Sequence, residues 1–179
     1  GVRTVPKLPR GEDHRMRRIL GTTAIILAVL PAPAKAATPM ERLESLASSI
    51  ANTPTAIVCP REWEDERVGG YVYLDEPTIY LSPDACRGAR AVASGYRKAP
   101  RWLRAHGIMT LVHEAWHVRD WPDRDNEPQV QCRAMATFQW AVERLAGKRQ
   151  ARLLLPAALE ENSLVTLNPK YAPPDGCHT

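Results

Sequence analysis

Two histidines four residues apart, with a glutamate directly after the first, stand in Leu111-Val112-His113-Glu114-Ala115-Trp116-His117. On an α-helix this spacing sets the imidazoles about 40° apart around the axis and about 6 Å apart along it, so both can grip one cation. Glu114 then points beside the ion, where a carboxylate can hydrogen-bond a metal-held water and act as its general base. The match is H-E-x-x-H, and the uncharged flanks Leu111, Val112, Ala115, Trp116 and Val118 suit a buried helix. The chemistry expected of such a set is hydrolysis by a water activated on Zn2+, with His113 and His117 as ligands and Glu114 as the catalytic base.

Zinc needs a third protein ligand, and two carboxylates can supply it. Glu127 lies ten residues after His117 at the expected start of the next helix, so a helix-loop-helix can fold it back over the ion. Asp123 lies six residues after His117 and gives "HEAWHVRDWPD", similar to the H-E-x-x-H-x-x-G-x-x-D pattern of small bacterial neutral proteases of the snapalysin type. The glycine of that pattern makes a sharp turn, whereas Asp120 stands at its position here and visits the left-handed region less readily. Met135 falls inside an expected helix and offers no methionine turn below the metal. These features favour Glu127 over Asp123.

The elements that must position these groups can be read from caps and periodicity. Thr38, Pro39 and Glu41 mark a helix start, Leu43, Leu46 and Ile50 give it a buried stripe, and Asn52-Thr53-Pro54 ends it. "TAIVC", "YVYLD" and "TIYLS" read as strands of a small antiparallel sheet, with "PREWEDERVGG" as a loop. Ser82-Pro83 opens a short helix beneath that sheet. The motif helix runs from Trp102 to Arg119, with Gly107 as an alternative start near Ile108. A long helix follows from Asn126 to Ala146, its apolar face formed by Val130, Ala134, Phe138, Ala141, Val142 and Leu145 and its stop by Gly147. A last helix over Arg149 to Asn162 is expected to be interrupted at Pro156, before a proline-rich tail. The expected fold is α+β: several helices packed on a small antiparallel sheet.

Residues 1–36 fall outside that domain and 37–179 within it. Met16-Arg17-Arg18, the 12-residue apolar run Ile19 to Leu30 and "PAPAKA" have the layout of a secretory signal, with cleavage expected after Ala36 and residues 1–15 as a preceding extension. The run is too short to span a bilayer, so secretion without stable membrane insertion is expected. Residues 1–36 hold seven of the 24 Lys/Arg and two of the 20 Asp/Glu, leaving 17 basic and 18 acidic residues in the rest of a chain whose formal charge is +4. The electrostatic footprint of a nucleic-acid binder is therefore not expected. An even cysteine count in an exported chain favours disulfides, and proximity along the chain pairs Cys59 with Cys86 and Cys132 with Cys177.

Beyond the motif, "VC", "GYVYLDEPTIYLSPDAC", "LVHEAWHVR", "NEPQVQCRAM" and "YAPPDGC" resemble the small, secreted gluzincin-like metallopeptidases (mini-gluzincins) of actinobacteria, over about Val58 to Cys177. The resemblance implies a zincin-like fold around the H-E-x-x-H helix and peptidase chemistry on a peptide or protein substrate. In that pattern an E-x-x-x-x-C segment follows the motif helix, which implies Glu127 as third ligand and Cys132 as a disulfide partner. Gln131 replaces a commonly acidic residue and reads as a hydrogen-bonder to a ligand. His106, Tyr171 and His178 are the available oxyanion donors, "TIYLS" is a candidate edge for an extended peptide, and Arg119 and Arg124 are candidates to hold a substrate carboxylate. The alternatives are the snapalysin-like protease with Asp123, and a secreted binding module holding zinc without catalysis.

Overall fold

The computed structural model describes residues 36–65, 68–73, 76–120, 126–172, 174 and 177. The expected signal segment before Ala36, and the candidates Asp123, Trp121, Arg124 and His178, lie outside the described residues.

Helix α1 (Pro39–Ala51) starts at a reciprocal cap: the Thr38 hydroxyl accepts the Glu41 N–H at 3.2 Å, and the Glu41 carboxylate accepts the Thr38 N–H at 2.6 Å. Its stripe of Leu43, Leu46 and Ile50 is buried, and Asn52 ends it in the left-handed conformation. Strands β1 (Ala56–Val58), β2 (Gly70–Val72) and β3 (Thr78–Leu81) follow, and then α2 (Pro83–Ala93), capped by the Ser82 hydroxyl on the Ala85 N–H. Three long helices complete the described chain: α3 (Arg101–Arg119), α4 (Glu127–Ala146) and α5 (Lys148–Val165), with a 3-10 turn at Pro169–Tyr171.

The α+β expectation holds, but the wholly antiparallel sheet does not. Strand order is β1-β3-β2, with β2 antiparallel to β3 and β1 parallel to it. The short β2–β3 connection forces the antiparallel pair, as the sequence suggested. The long segment after β1 lets that strand pair on the other side of β3, and the Cys59–Cys86 disulfide joins the residue after β1 to the helix after β3, so both strands end at the same edge. As a result β3 is central and paired on both sides, and "TIYLS" offers no open edge. Ile79 and Leu81 point into the core, while Tyr80 stacks on Tyr71 and Tyr71 on Trp63 across the outer face.

Two further expectations are corrected. Gly107 lies inside α3 instead of starting it, because α2 and α3 meet backbone to backbone at two glycines. A Cβ on Gly88 would sit 1.9 Å from the Leu103 carbonyl oxygen, and one on Gly107 would sit 2.2 Å from the Ala89 nitrogen. Helix α5 passes through Pro156 without interruption; Pro156 and Arg152 are both exposed, so the carbonyl that loses its partner can be hydrated. The core runs between α1, α3 and α4 and the inner face of the sheet, with Phe138, Leu111, Ile108 and Val142 fully buried. Arg42 reaches across it to the Ala93 and Leu145 carbonyls, satisfying the C-terminal ends of α2 and α4 together.

The helix contact yields a direct stability test. Gly107→Ala should destabilise by at least about 2 kcal/mol through overpacking, whereas Gly95→Ala, where nothing lies within 4 Å but φ is +74°, should cost only about 1 kcal/mol of backbone strain. Urea unfolding of both variants checks the order.

Candidate metal centre

Helix α3 presents His113 and His117 one turn apart, and α4 begins at Glu127 with its Asn126 cap on the Gln129 N–H at 3.2 Å. From the first turn of α4 the Glu127 carboxylate meets both imidazoles. His113 Nε2 and His117 Nε2 are 3.0 Å apart, and Glu127 Oε2 lies 3.1 Å from the first and 3.3 Å from the second. A tetrahedral ion with bonds of about 2.0–2.1 Å sets its ligand atoms about 3.3 Å apart. The three side chains are 12, 10 and 15% exposed, so the cluster is sheltered yet not sealed. It could hold a metal ion.

The surrounding bonds fix which atoms face inward. His113 Nδ1–H donates to Gln131 Oε1 at 2.8 Å, and Gln131 in turn donates through Nε2 to Asn162 Oδ1 at 2.8 Å on α5. With its Nδ1 proton so used, His113 turns a lone pair on Nε2 toward the cluster, as a metal ligand must. Lys170, on the 3-10 turn, holds the other Glu127 oxygen at 3.0 Å. Burial works to raise the Glu127 carboxyl, but the close approach of His113, His117 and Lys170 outweighs it and holds the group well below the usual carboxylate range. The Cys132–Cys177 disulfide ties the tail carrying Lys170 and Tyr171 to α4, and the Tyr171 ring stands 6.1 Å from the His113 ring.

Glu114 lies between the two histidines in sequence and is almost wholly buried. Burial pushes its carboxyl pKa up, with the two imidazoles pulling the other way. Strand β2 crosses directly above it: a Cβ on Gly70 would come within 2.9 Å of Glu114 Cγ and 2.8 Å of Thr110 Cγ2, and one on Gly69 within 2.9 Å of Thr110 Oγ1. Only glycine lets the strand come this close.

Of the other candidates, His106 is placed two turns up α3 and is bonded to Glu161 at 2.6 Å, beside a separate cavity of about 830 Å³ that it lines with Trp63 and Trp102. Arg119 is used structurally: it donates to the Ile50 carbonyl at 3.2 Å and lies over Trp116. Trp116 bridges α3 to α4 through Thr137 at 3.0 Å. Asp120 keeps a right-handed backbone and its carboxylate bonds Arg133, so the sharp left-handed turn of the snapalysin-like pattern is not made there. Lys170, Asn162 and the Gly69-Gly70 pair were missed by sequence reasoning. The glycine pair before an aromatic run was the visible signal; Lys170 and Asn162 had none.

Comparison with protein families, with characterised proteins and with solved structures finds no match to this chain.

The His106–Glu161 pair gives a pH test. The Glu161 hydrogen bond raises the His106 pKa above its ordinary value, against the pull of burial. Its stabilisation is then full below the ordinary histidine pKa of about 6.5 and is lost as pH rises through the elevated folded value. The stability difference between the wild type and His106→Gln should accordingly be largest in mildly acidic buffer and shrink in alkaline buffer. A difference that stays constant in urea unfolding across that range would reject the pair as a charged contact.

Proposed function

We propose that the chain is a secreted, zinc-dependent peptidase of gluzincin type, in which His113, His117 and Glu127 hold the metal and Glu114 is the general base. The observation that carries this reading is the convergence of two imidazole nitrogens and one carboxylate oxygen at 3.0 to 3.3 Å from one another, with a buried carboxyl adjoining the first ligand in sequence. Two histidines and a glutamate are a known catalytic zinc set that leaves one position for water or substrate. Bound zinc would supply Lewis acidity, acidifying a water and polarising the scissile carbonyl. Glu114 accepts the proton of the attacking water and passes it to the leaving amine, a task helped by the raised proton affinity that burial gives it.

Among the described residues β2 is an edge strand, and its outer side offers an extended peptide a backbone to pair with, in place of the central β3. Gly69 and Gly70 bring that backbone down onto Glu114. Among the described residues, Tyr171, whose ring stands 6.1 Å from the His113 ring, is the donor we assign to the developing oxyanion. The two disulfides are compatible with secretion, and no helix among the described residues is long and apolar enough to cross a membrane.

One observation favours a second reading, in which zinc is held without catalysis: Lys170 already occupies one Glu127 oxygen and the ligands are largely enclosed. Kinetics and metal analysis separate the readings. Glu114→Gln should keep its zinc and lose hydrolysis by at least about 10²-fold, whereas Glu127→Ala should sharply weaken zinc binding and Asp123→Ala should leave it intact. A wild-type protein that holds zinc and cleaves nothing in a broad peptide library would establish the non-catalytic reading, and zinc loss in Asp123→Ala alone the snapalysin-like one. Tyr171→Phe should lower kcat by about 10²-fold with KM little changed.

A further inference from the structure

Positive charge is unevenly distributed along this chain. Between Asp84 and Glu114 there is no acidic residue, yet Arg87, Arg90, Arg97, Lys98, Arg101 and Arg104 all fall there. Residues 37–179 are close to neutral as a whole, so the end of α2, the turn after it and the start of α3 form a locally unbalanced cluster. Arg87 is paired with Asp84 at 2.7 Å. Arg90, Arg97, Lys98 and Arg101 are exposed and have no carboxylate partner among the described residues. Beneath them Arg104 is buried against Gln150, and burial, Arg101 and Arg97 together pull its pKa down, which places those charges close to one another.

The same face carries large exposed rings. A hollow of about 530 Å³ is lined by Arg87, Arg90, Lys98, Tyr96 and Trp102 over an apolar floor that includes Leu103, with no acidic residue in its wall. Tyr96 is 55% exposed and Trp102 is 59% exposed. Cations set around amphipathic rings suit a bilayer interface, where the charges meet lipid phosphates and the rings lie at headgroup depth. A single-stranded nucleic acid would instead be served by a groove that tracks its backbone, and this cluster is a short, ring-flanked hollow.

We propose that this face docks the protein peripherally on an anionic phospholipid surface, with Arg90, Lys98 and their neighbours on phosphodiester headgroups and Tyr96 and Trp102 in the interface. His117 lies 15 residues along α3 from Trp102, about 22 Å by helix rise, so docking leaves the metal centre free. The inference is independent of whether that centre is catalytic.

The test is co-sedimentation of the metal-loaded full chain with vesicles of mixed phosphatidylglycerol and phosphatidylcholine. The seven basic residues before position 37 are common to every variant, so comparison among variants isolates the face. Arg90→Gln with Lys98→Gln should weaken partitioning by about 25-fold, roughly fivefold per cation. The same charge removed at the exposed Arg144 and Arg152 should change it by less than about twofold, and Trp102→Ala should weaken it while leaving its salt dependence in place. Equal partitioning of the two double variants overturns the proposal. So does a loss in Arg90→Gln with Lys98→Gln that is seen with a single-stranded oligonucleotide and not with vesicles, which would assign the face to nucleic acid. Displacement from vesicles by millimolar soluble glycerophosphate would assign it to a small anion and also overturn the proposal.

Discussion

Two imidazole nitrogens and a carboxylate oxygen brought to 3.0 to 3.3 Å of one another are a separation that a shared cation or proton would favour, since their lone pairs otherwise repel. That constraint organises the centre of this protein. His113 and His117 come from α3, Glu127 from the first turn of α4, the Gln131 that orients His113 from the next turn of α4, and the Lys170 that offsets Glu127 from the tail. Gln131 has a second partner in Asn162 on α5, and the Cys132–Cys177 bond ties the tail to α4, so no one element sets the cluster alone.

What made the site legible was local. H-E-x-x-H declares its geometry through helical periodicity alone, and Thr38, Ser82 and Gly147 declare helix ends through cap chemistry that depends on a few neighbouring residues. The α4 face could be read for the same reason: every apolar residue at helical spacing from Val130 to Leu145 is buried. What could not be read was settled by distant parts of the chain. The parallel pairing of β1 depends on where α2 is tied, and Gly107 looked like a helix breaker because its partner, Gly88, is on another helix. Lys170 has no local signature, and only the folded tail gives it meaning.

The glycines show how packing and chemistry share one device. At Gly88 and Gly107 the absent side chains let two helices touch, which fixes the height of α3 against α2. At Gly69 and Gly70 the same absence lets a strand rest on α3 beside Glu114. Helix α3 is thus clamped from two sides by backbone, and the motif it carries is held by contacts that no larger residue would permit. A rigid element is what a metal site requires, because ligand atoms must hold their separations to within a few tenths of an ångström.

Two glutamates stand at the same pair of imidazoles and are driven in opposite directions. Glu127 gains more from His113, His117 and Lys170 than burial costs it, so it stays ionised and is suited to ligation. Glu114, a neighbour of the same histidines, faces burial that their attraction does not offset, so its affinity for a proton rises. Identical carboxyl groups whose environments separate their proton affinities are the usual mark of a division between a permanently charged role and a proton-carrying one. On the peptidase reading that division assigns the metal to Glu127 and the proton to Glu114. On the non-catalytic reading it leaves Glu114 as a buried carboxyl with no task, and burial of that kind is costly to keep without one.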